Sequence, residues 1–253
     1  PERVLRDGTN HLSFDLVKTA FKLLSRREEM EELGRDRFGR FPANQSSAYR
    51  KGLLNRPVVN EHLLRLLHLI RSSGACLLRK DFWPPKRTFA VCLSHDLDFK
   101  RKWGFRKLFL EARKCLRAPS PWRGLGTLPS SIASAGREDP YWNIDRLVEM
   151  ERQFGFKSSF LFSSGRTAKW DPTYSLSERR IREALRTIES QGFEVALHGS
   201  FNSSFEPHCL AAEKRKLEKV LGRPVLGNRF HYLRLEIPRS WREEEDAGLS
   251  YDM

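Results

Sequence analysis

Apolar residues recur at helical spacing in the first third of the chain, then give way to short apolar runs separated by amphipathic stretches. Phe14, Val17, Phe21 and Leu24 fall on one helical face, and Val59, Leu63, Leu66, Leu67 and Ile70 on another. The first 85 residues therefore predict a small, mainly helical region. Pro57 suits the start of the second helix, and Asp36-Arg37-Phe38-Gly39-Arg40-Phe41-Pro42 carries the turn chemistry that separates the two. Glu28, Glu29, Glu31 and Glu32 read as an acidic surface run. Trp83-Pro84-Pro85 reads as the linker into residues 86–253.

From Thr88 the pattern alternates between strand and helix. The run from Phe89 to Asp98 predicts a strand buried on both faces, as in a parallel sheet, with Cys92 as a small core residue. Further strands are predicted at Ser158–Phe162, Phe193–Leu197, Val225–Arg229 and Gly248–Tyr251. Between them, Ile144, Leu147, Val148 and Met150 mark one helix. Ser175-Leu176-Ser177-Glu178 has the capping-box spacing that starts a second, whose core face is Ile181, Leu185 and Ile188 and which Gly192 closes. A third spans Cys209 to Leu221, with His208 at its start. Such alternation argues for βαβ units in a parallel α/β sheet or barrel.

The net charge of +14 over 253 residues, with a pI near 10.0, suggests an anionic partner such as nucleic acid, acidic polysaccharide or a membrane surface. Much of the excess lies between Lys100 and Arg123, interleaved with Trp103, Phe105, Phe109 and Trp122. That mixture can bind a nucleic-acid strand, but a solvated basic helix face accounts for it more simply. Ala118–Pro140 is long for a loop in a compact domain and predicts a lid or a mobile connection. Cys76, Cys92, Cys115 and Cys209 have neither the spacing of a zinc finger nor that of a disulfide framework. With no membrane span and no signal-peptide pattern, the expected location is cytoplasmic. Because the chain begins at Pro1 and stops just after a strand, it is expected to be a fragment.

Three successive strand ends carry the candidate chemistry: Asp96 with Asp98, His198, and Arg229 with His231. In parallel α/β folds these ends converge on one rim. Two close carboxylates need a cation or hydrogen-bond donors. Carboxylate with imidazole is a ligand set for zinc or another divalent ion; a second carboxylate can take a proton from bound water, and an arginine can orient it.

Residues 88–253 resemble the polysaccharide deacetylases of the NodB-homology type, carbohydrate esterase family 4. The motifs are Leu93-Ser94-His95-Asp96-Leu97-Asp98, Glu194-Val195-Ala196-Leu197-His198-Gly199-Ser200, Gly227-Asn228-Arg229-Phe230-His231-Tyr232-Leu233-Arg234 and Ala247-Gly248-Leu249-Ser250-Tyr251-Asp252. Leu24-Ser25-Arg26-Arg27-Glu28-Glu29, Phe38-Gly39-Arg40-Phe41-Pro42 and Arg56-Pro57-Val58-Val59-Asn60-Glu61 look like the region preceding an S/T-H-D-V-D variant of that domain. The resemblance implies a distorted (β/α) barrel, truncated at its C-terminus, behind the small helical region. It also implies a divalent metal, most simply zinc, and an N-acetylated polysaccharide or glycan intermediate as substrate. Carried over, Asp96 is the base, Arg229 orients it, and Asp98 and His198 are metal ligands. Leu97 separates the two aspartates where the family has them adjacent, so the reverse order stays open. Trp170 and Tyr232 become substrate-binding candidates. Where the family has its second metal histidine this chain has Asn202, leaving His95, Asn202 and His231 as candidates for the remaining position, unless both aspartates bind the ion or the metal site is weakened or absent. The family's general acid would lie beyond Met253, so the fragment alone is expected to be inactive.

Three readings follow: a metal-dependent deacetylase; a carbohydrate-binding or polysaccharide-assembly protein on the same barrel, motivated by Asn202; and, on charge alone and least favoured, a nucleic-acid-binding module. Trp103, Trp122 and Trp142 could form a sugar-stacking platform, although core or hinge packing is the simpler expectation for at least some of them. Asp171-Pro172-Thr173-Tyr174 could line the groove, but its composition also fits an ordinary turn.

Overall fold

A computed structural model of the chain describes residues 3–4, 10–11, 15–32, 34–74, 76, 78, 83–99, 113, 139, 141–206 and 208–253. Apart from Arg113 and Asp139, the basic aromatic stretch after Phe99 and the long loop to Pro140 lie outside the described residues, with Trp103 and Trp122. The chain divides into two compact units, Pro1–Val91 with Arg234–Ile237, and Cys92–Leu233 with Pro238–Met253.

In the first unit, β1 (Arg3–Val4) pairs antiparallel with β2 (Asn10–His11). Four helices follow: α1 (Leu16–Leu24), α2 (Arg27–Glu31), α3 (Ser47–Arg50) and α4 (Val58–Ser72). The Asp15 carboxylate caps α1 by accepting from the Lys18 N–H at 2.8 Å. Helix α1 packs on α4, yet the face it buries is Leu16 and Ala20, while Val17, Phe21 and Leu24 are exposed. The apolar stripe read from the sequence is thus not the buried one. Helix α4 buries no residue fully, and Leu63 on its expected core face is exposed. Of the acidic run, Glu28 turns to α3 and accepts from the Ser47 N–H at 2.6 Å.

The second unit is a five-stranded parallel sheet in the order β3 (Leu93–Asp96), β4 (Ser158–Phe162), β5 (Glu194–Gly199), β6 (Gly227–Phe230) and β7 (Tyr251–Asp252). Each strand lies beside its predecessor in sequence, as the staves of a (β/α) barrel do, and the order never reverses as it would in a doubly wound sheet. Among the described residues the sheet is open. The connections carry α5 (Ile144–Gln153), α6 (Arg179–Ser190), α7 (Cys209–Leu221) and α8 (Arg239–Asp246). The core lies between sheet and helices, where Phe162, Ile181, Ile188, Leu197 and Leu210 are fully buried, while Leu161 is buried on the opposite face of β4.

Four details differ from expectation. Strand β3 is only four residues long and, among the described residues, pairs on one side alone, so Phe89 and Val91 upstream are exposed and so is Cys92. An edge strand has no second neighbour to cover it. The Ser175–Glu178 box closes as a turn before the helix: Glu178 accepts from the Ser175 N–H at 2.9 Å, but α6 starts one residue later, with no side-chain cap. Met150 is exposed, and α5 buries Glu151 with Ile144 and Val148. Strand β6 starts two residues later than read, at Gly227, where a Cβ would stand 2.5 Å from the Tyr251 ring of β7.

A buried polar chain runs behind the strand ends. Asn228 donates to Glu244 at 2.8 Å and accepts from the Gly199 N–H at 3.2 Å. Burial, reinforced by the nearby Asp252 charge, outweighs the Asn228 hydrogen bond and pushes the Glu244 carboxyl from its ordinary 4.5 up to about 7. The folded state therefore holds this proton more tightly than the unfolded chain. The stabilisation is complete below about pH 4.5 and is lost as pH rises through about 7. Glu244→Gln is expected to remove a loss on the order of 2–3 kcal/mol across that window. Urea unfolding at both ends of the window checks it; an unchanged pH slope in the variant would refute the assignment.

Candidate metal centre and active site

Strands β3, β5 and β6 deliver chemistry at their C-terminal ends because parallel strands all finish on the same side of the sheet. Asp96 ends β3, with Asp98 two residues on; His198 is the penultimate residue of β5, and Arg229 that of β6. The register sets His198 beside Arg229. His231 opens the 3-10 turn that follows β6.

Arg229 spans the sheet with its guanidinium. Nη1 donates to Asp96 Oδ1 at 2.6 Å, Nη2 to Ser94 Oγ at 2.6 Å, and Nε to the Met253 carbonyl at 3.2 Å. Ser94 and Asp96 are two apart on β3 and so share one face, which lets one planar fork hold both. The result is a fixed carboxylate, partly open to solvent, at the rim.

The histidines are anchored from behind. His198 is 1% exposed, and its Nδ1 lies 3.0 Å from the Arg229 carbonyl oxygen. A carbonyl only accepts, so Nδ1 carries the hydrogen and a neutral ring presents a lone pair at Nε2. By the same logic His231 Nε2, 3.0 Å from the Trp170 carbonyl, donates and leaves a lone pair at Nδ1. These two near nitrogens are 2.8 Å apart, and Asp98 Oδ1 stands 3.2 Å from the first and 3.4 Å from the second. That oxygen is buried without a hydrogen-bond donor. Three acceptors thus face one another, an arrangement that requires a proton or a cation between them.

The donor set fits a divalent metal. Two imidazole nitrogens and a carboxylate oxygen are the ligands of catalytic zinc sites; at zinc distances, tetrahedral ligand atoms stand roughly 3.3 Å apart. Two of the three separations here, 3.2 and 3.4 Å, match this closely. Burial alone pushes the Asp98 carboxyl up; the hydrogen bond and charge of a protonated His198, with the charge of a protonated His231, hold it below its ordinary value, and a cation between the three would supply that positive charge while both rings stay neutral. A carboxylate already ionised is the form a cation needs.

Of the other candidates, His95 is turned to α5: its Nε2 lies 2.6 Å from Glu151, which also accepts from Ser158 Oγ at 2.6 Å. Asn202, in the turn after β5, directs its amide to the Thr167 carbonyl at 3.4 Å and its backbone N–H to Thr167 Oγ1 at 3.0 Å. Neither joins the Asp98–His198–His231 group in the interactions they make. Trp170 and Tyr232 meet at the mouth, their ring centroids 6.2 Å apart, and the Tyr232 ring also packs 4.7 Å from His231. With Asp96, Asp98, His198 and Arg229 they line a cleft of about 230 Å³.

Three further buried groups build this site: Asp171 and Tyr174, from the segment weighed as groove lining or turn, and Glu213, which sequence reasoning passed over. Asp171 carries the turn before Tyr174: its Oδ2 accepts from the N–H groups of Thr167 and Ala168, both at 2.7 Å, and its Oδ1 from the Phe201 N–H at 2.6 Å. Glu213 of α7 accepts from the Ser200 N–H at 2.9 Å and from the Ser200 hydroxyl, two residues beyond His198. Burial pushes its carboxyl up. The Tyr174 hydroxyl accepts from the Ser163 N–H at 2.7 Å; burial, followed by the charges of Asp98 and Asp96, raises it out of reach of ionisation.

Residues 4–74 match a family of unknown function, DUF7033. No curated protein matches the chain. Among solved structures, the chain is similar to a CE4 family pseudoenzyme from Bacillus anthracis, at 13% identity and a TM-score of 0.32 over 44% of this chain and 37% of that one. A mutant of that pseudoenzyme with restored enzymatic activity gives 14% and 0.32, over 44% and 39%. A Mycobacterium smegmatis protein assigned as a polysaccharide deacetylase gives 19% and 0.41, over 67% and 52%. The chain spans between about two fifths and one half of these proteins' lengths.

Proposed function

We propose that the protein is a metal-dependent hydrolase that removes N-acetyl groups from a polysaccharide or glycan intermediate. The observation that supports it is the convergence of three acceptors, Asp98, His198 and His231, with no donor among them, beside a carboxylate held by Arg229. The N-acetyl substrate rests on the motif resemblance around those same residues.

Asp98, His198 and His231 would hold the ion, for which zinc suits the ligand set best. When bound, it would polarise the amide carbonyl and acidify a water. Asp96 can take up a proton at the carboxylate oxygen that Arg229 leaves free, since Nη1 engages only Oδ1. Arg229 keeps the carboxylate aimed at the cleft, and its grip on Ser94 prevents rotation. Trp170, 41% exposed, and Tyr232 offer apolar ring faces on which a pyranose can stack.

One observation favours a second reading. Asn202 stands at the position of the family's second histidine and makes hydrogen bonds to Thr167, as expected of a glycan-binding protein that has lost turnover. Acetate release from N-acetylglucosamine oligomers by the zinc-loaded full-length protein separates the two. Release that falls about 10²–10⁴-fold in Asp96→Asn fits a general base at that position. Zinc and oligomer binding without release, at equal concentrations, would favour the binding protein.

A further inference from the structure

The third donor, His231, is held by a backbone carbonyl, which no substitution of Trp170 itself can remove. What fixes that carbonyl is the neighbouring side chain. Asp171 is 3% exposed and both its oxygens are occupied by N–H groups: Thr167 and Ala168 on one side, Phe201 on the other. The Thr167 hydroxyl adds a third donor to Oδ2 at 3.1 Å. The turn after β4 is thereby clasped to the turn after β5, and Trp170 sits at the end of the clasp, its carbonyl 3.0 Å from His231 Nε2.

We infer that Asp171 is a positioning residue for the metal centre, setting the tautomer and orientation of His231 through the Trp170 carbonyl. This rests on the reading of Asp98, His198 and His231 as the metal ligands. Asp171 touches no ligand itself; its effect on the ion passes through His231. His198 Nδ1 donates to the Arg229 carbonyl on β6, so its own anchor is not Trp170. The same segment carries the Trp170 ring at the cleft mouth, packed near Tyr232, so one loop sets both the third donor and part of the rim.

The test is a double-mutant cycle on Zn²⁺ affinity, measured by competition with a chromophoric chelator. Asp171→Asn keeps the shape but presents an NH₂ group to N–H donors. It is expected to weaken Zn²⁺ by about 10–100-fold, the range for residues that orient a ligand. In a His231→Ala background the same change is expected to cost less than about twofold, because the residue through which Asp171 acts is gone. Equal losses in both backgrounds, or no loss in the first with the fold intact, would overturn the inference while leaving the ligand assignment standing. A folded wild-type protein that takes up no Zn²⁺ would overturn the ligand assignment and the inference with it. Should Asp171→Asn not fold, ¹⁵N-histidine NMR of the metal-free wild type, with both rings neutral, decides: the Nε2–H tautomer at His231 is expected, and the Nδ1–H tautomer refutes the inference.

Discussion

Asp98→Asn is expected to lose zinc and, in mildly alkaline buffer with the metal stripped, to be more stable than the wild type. The two effects have one cause. In the wild type Oδ1 of Asp98 is buried without a donor, 3.2 and 3.4 Å from two nitrogens that present lone pairs. An asparagine amide supplies the missing hydrogen to one of those nitrogens and removes a partly buried charge, a gain of about 1 kcal/mol. The amide is also a poor zinc ligand, so affinity falls by at least about 100-fold for a site that loses one of three protein donors. Chelator competition measures the first effect and urea unfolding of the stripped proteins the second. A stripped variant less stable than stripped wild type would mean that the pair already holds a proton there, and that the acceptors do not oppose one another.

Gly165→Ala is expected to be the most damaging methyl group in the second unit. A Cβ there would lie 1.9 Å from Glu213 Oε1, 2.3 Å from Cδ and 2.8 Å from Cγ. Glu213 cannot swing aside freely, since its carboxylate holds the Ser200 N–H and hydroxyl and it is 2% exposed. Relieving the overlap breaks those bonds and leaves buried donors unsatisfied, a cost of about 3 kcal/mol or more. Glu213→Ala in the same molecule opens the space, so the double variant should be more stable than Gly165→Ala alone. Denaturant unfolding of the four proteins checks this. Strict additivity would show that the overlap is relieved by backbone movement instead.

The parts of the fold that were legible are those bounded by sharp signals. Helix α7 runs from Cys209 to Leu221 as read, and α6 buries Ile181, Leu185 and Ile188 as read. Apolar runs misled where burial depends on a neighbour: Phe89 and Val91 look like core, yet they precede an edge strand and stand 73% and 67% exposed. In the first unit the helices α1 and α4 lie where the spacing puts them, but the face of α1 that is buried belongs to Leu16 and Ala20. Asp96, His198 and Arg229 stand at strand ends as read, with Asp98 two residues beyond β3. His231 could be named only as one of several candidates, because it comes from a different strand than His198 and approaches it through the β5–β6 register, which no local spacing encodes. Asp171 was read only as part of a turn or groove segment, and Glu213 gave no signal. An acid within a polar segment reads as surface, and both are buried because turns elsewhere in the chain direct N–H groups at them.

Arg229 performs two tasks with two different parts of itself. Its guanidinium holds Asp96, and its main-chain carbonyl holds His198. Only the first depends on which amino acid occupies the position, since every residue brings a carbonyl. On the proposed function, exchanging Arg229 would therefore release the reacting carboxylate while the anchor of His198 passes unchanged to whatever replaces it, so that hydrolysis would be lost before ion binding.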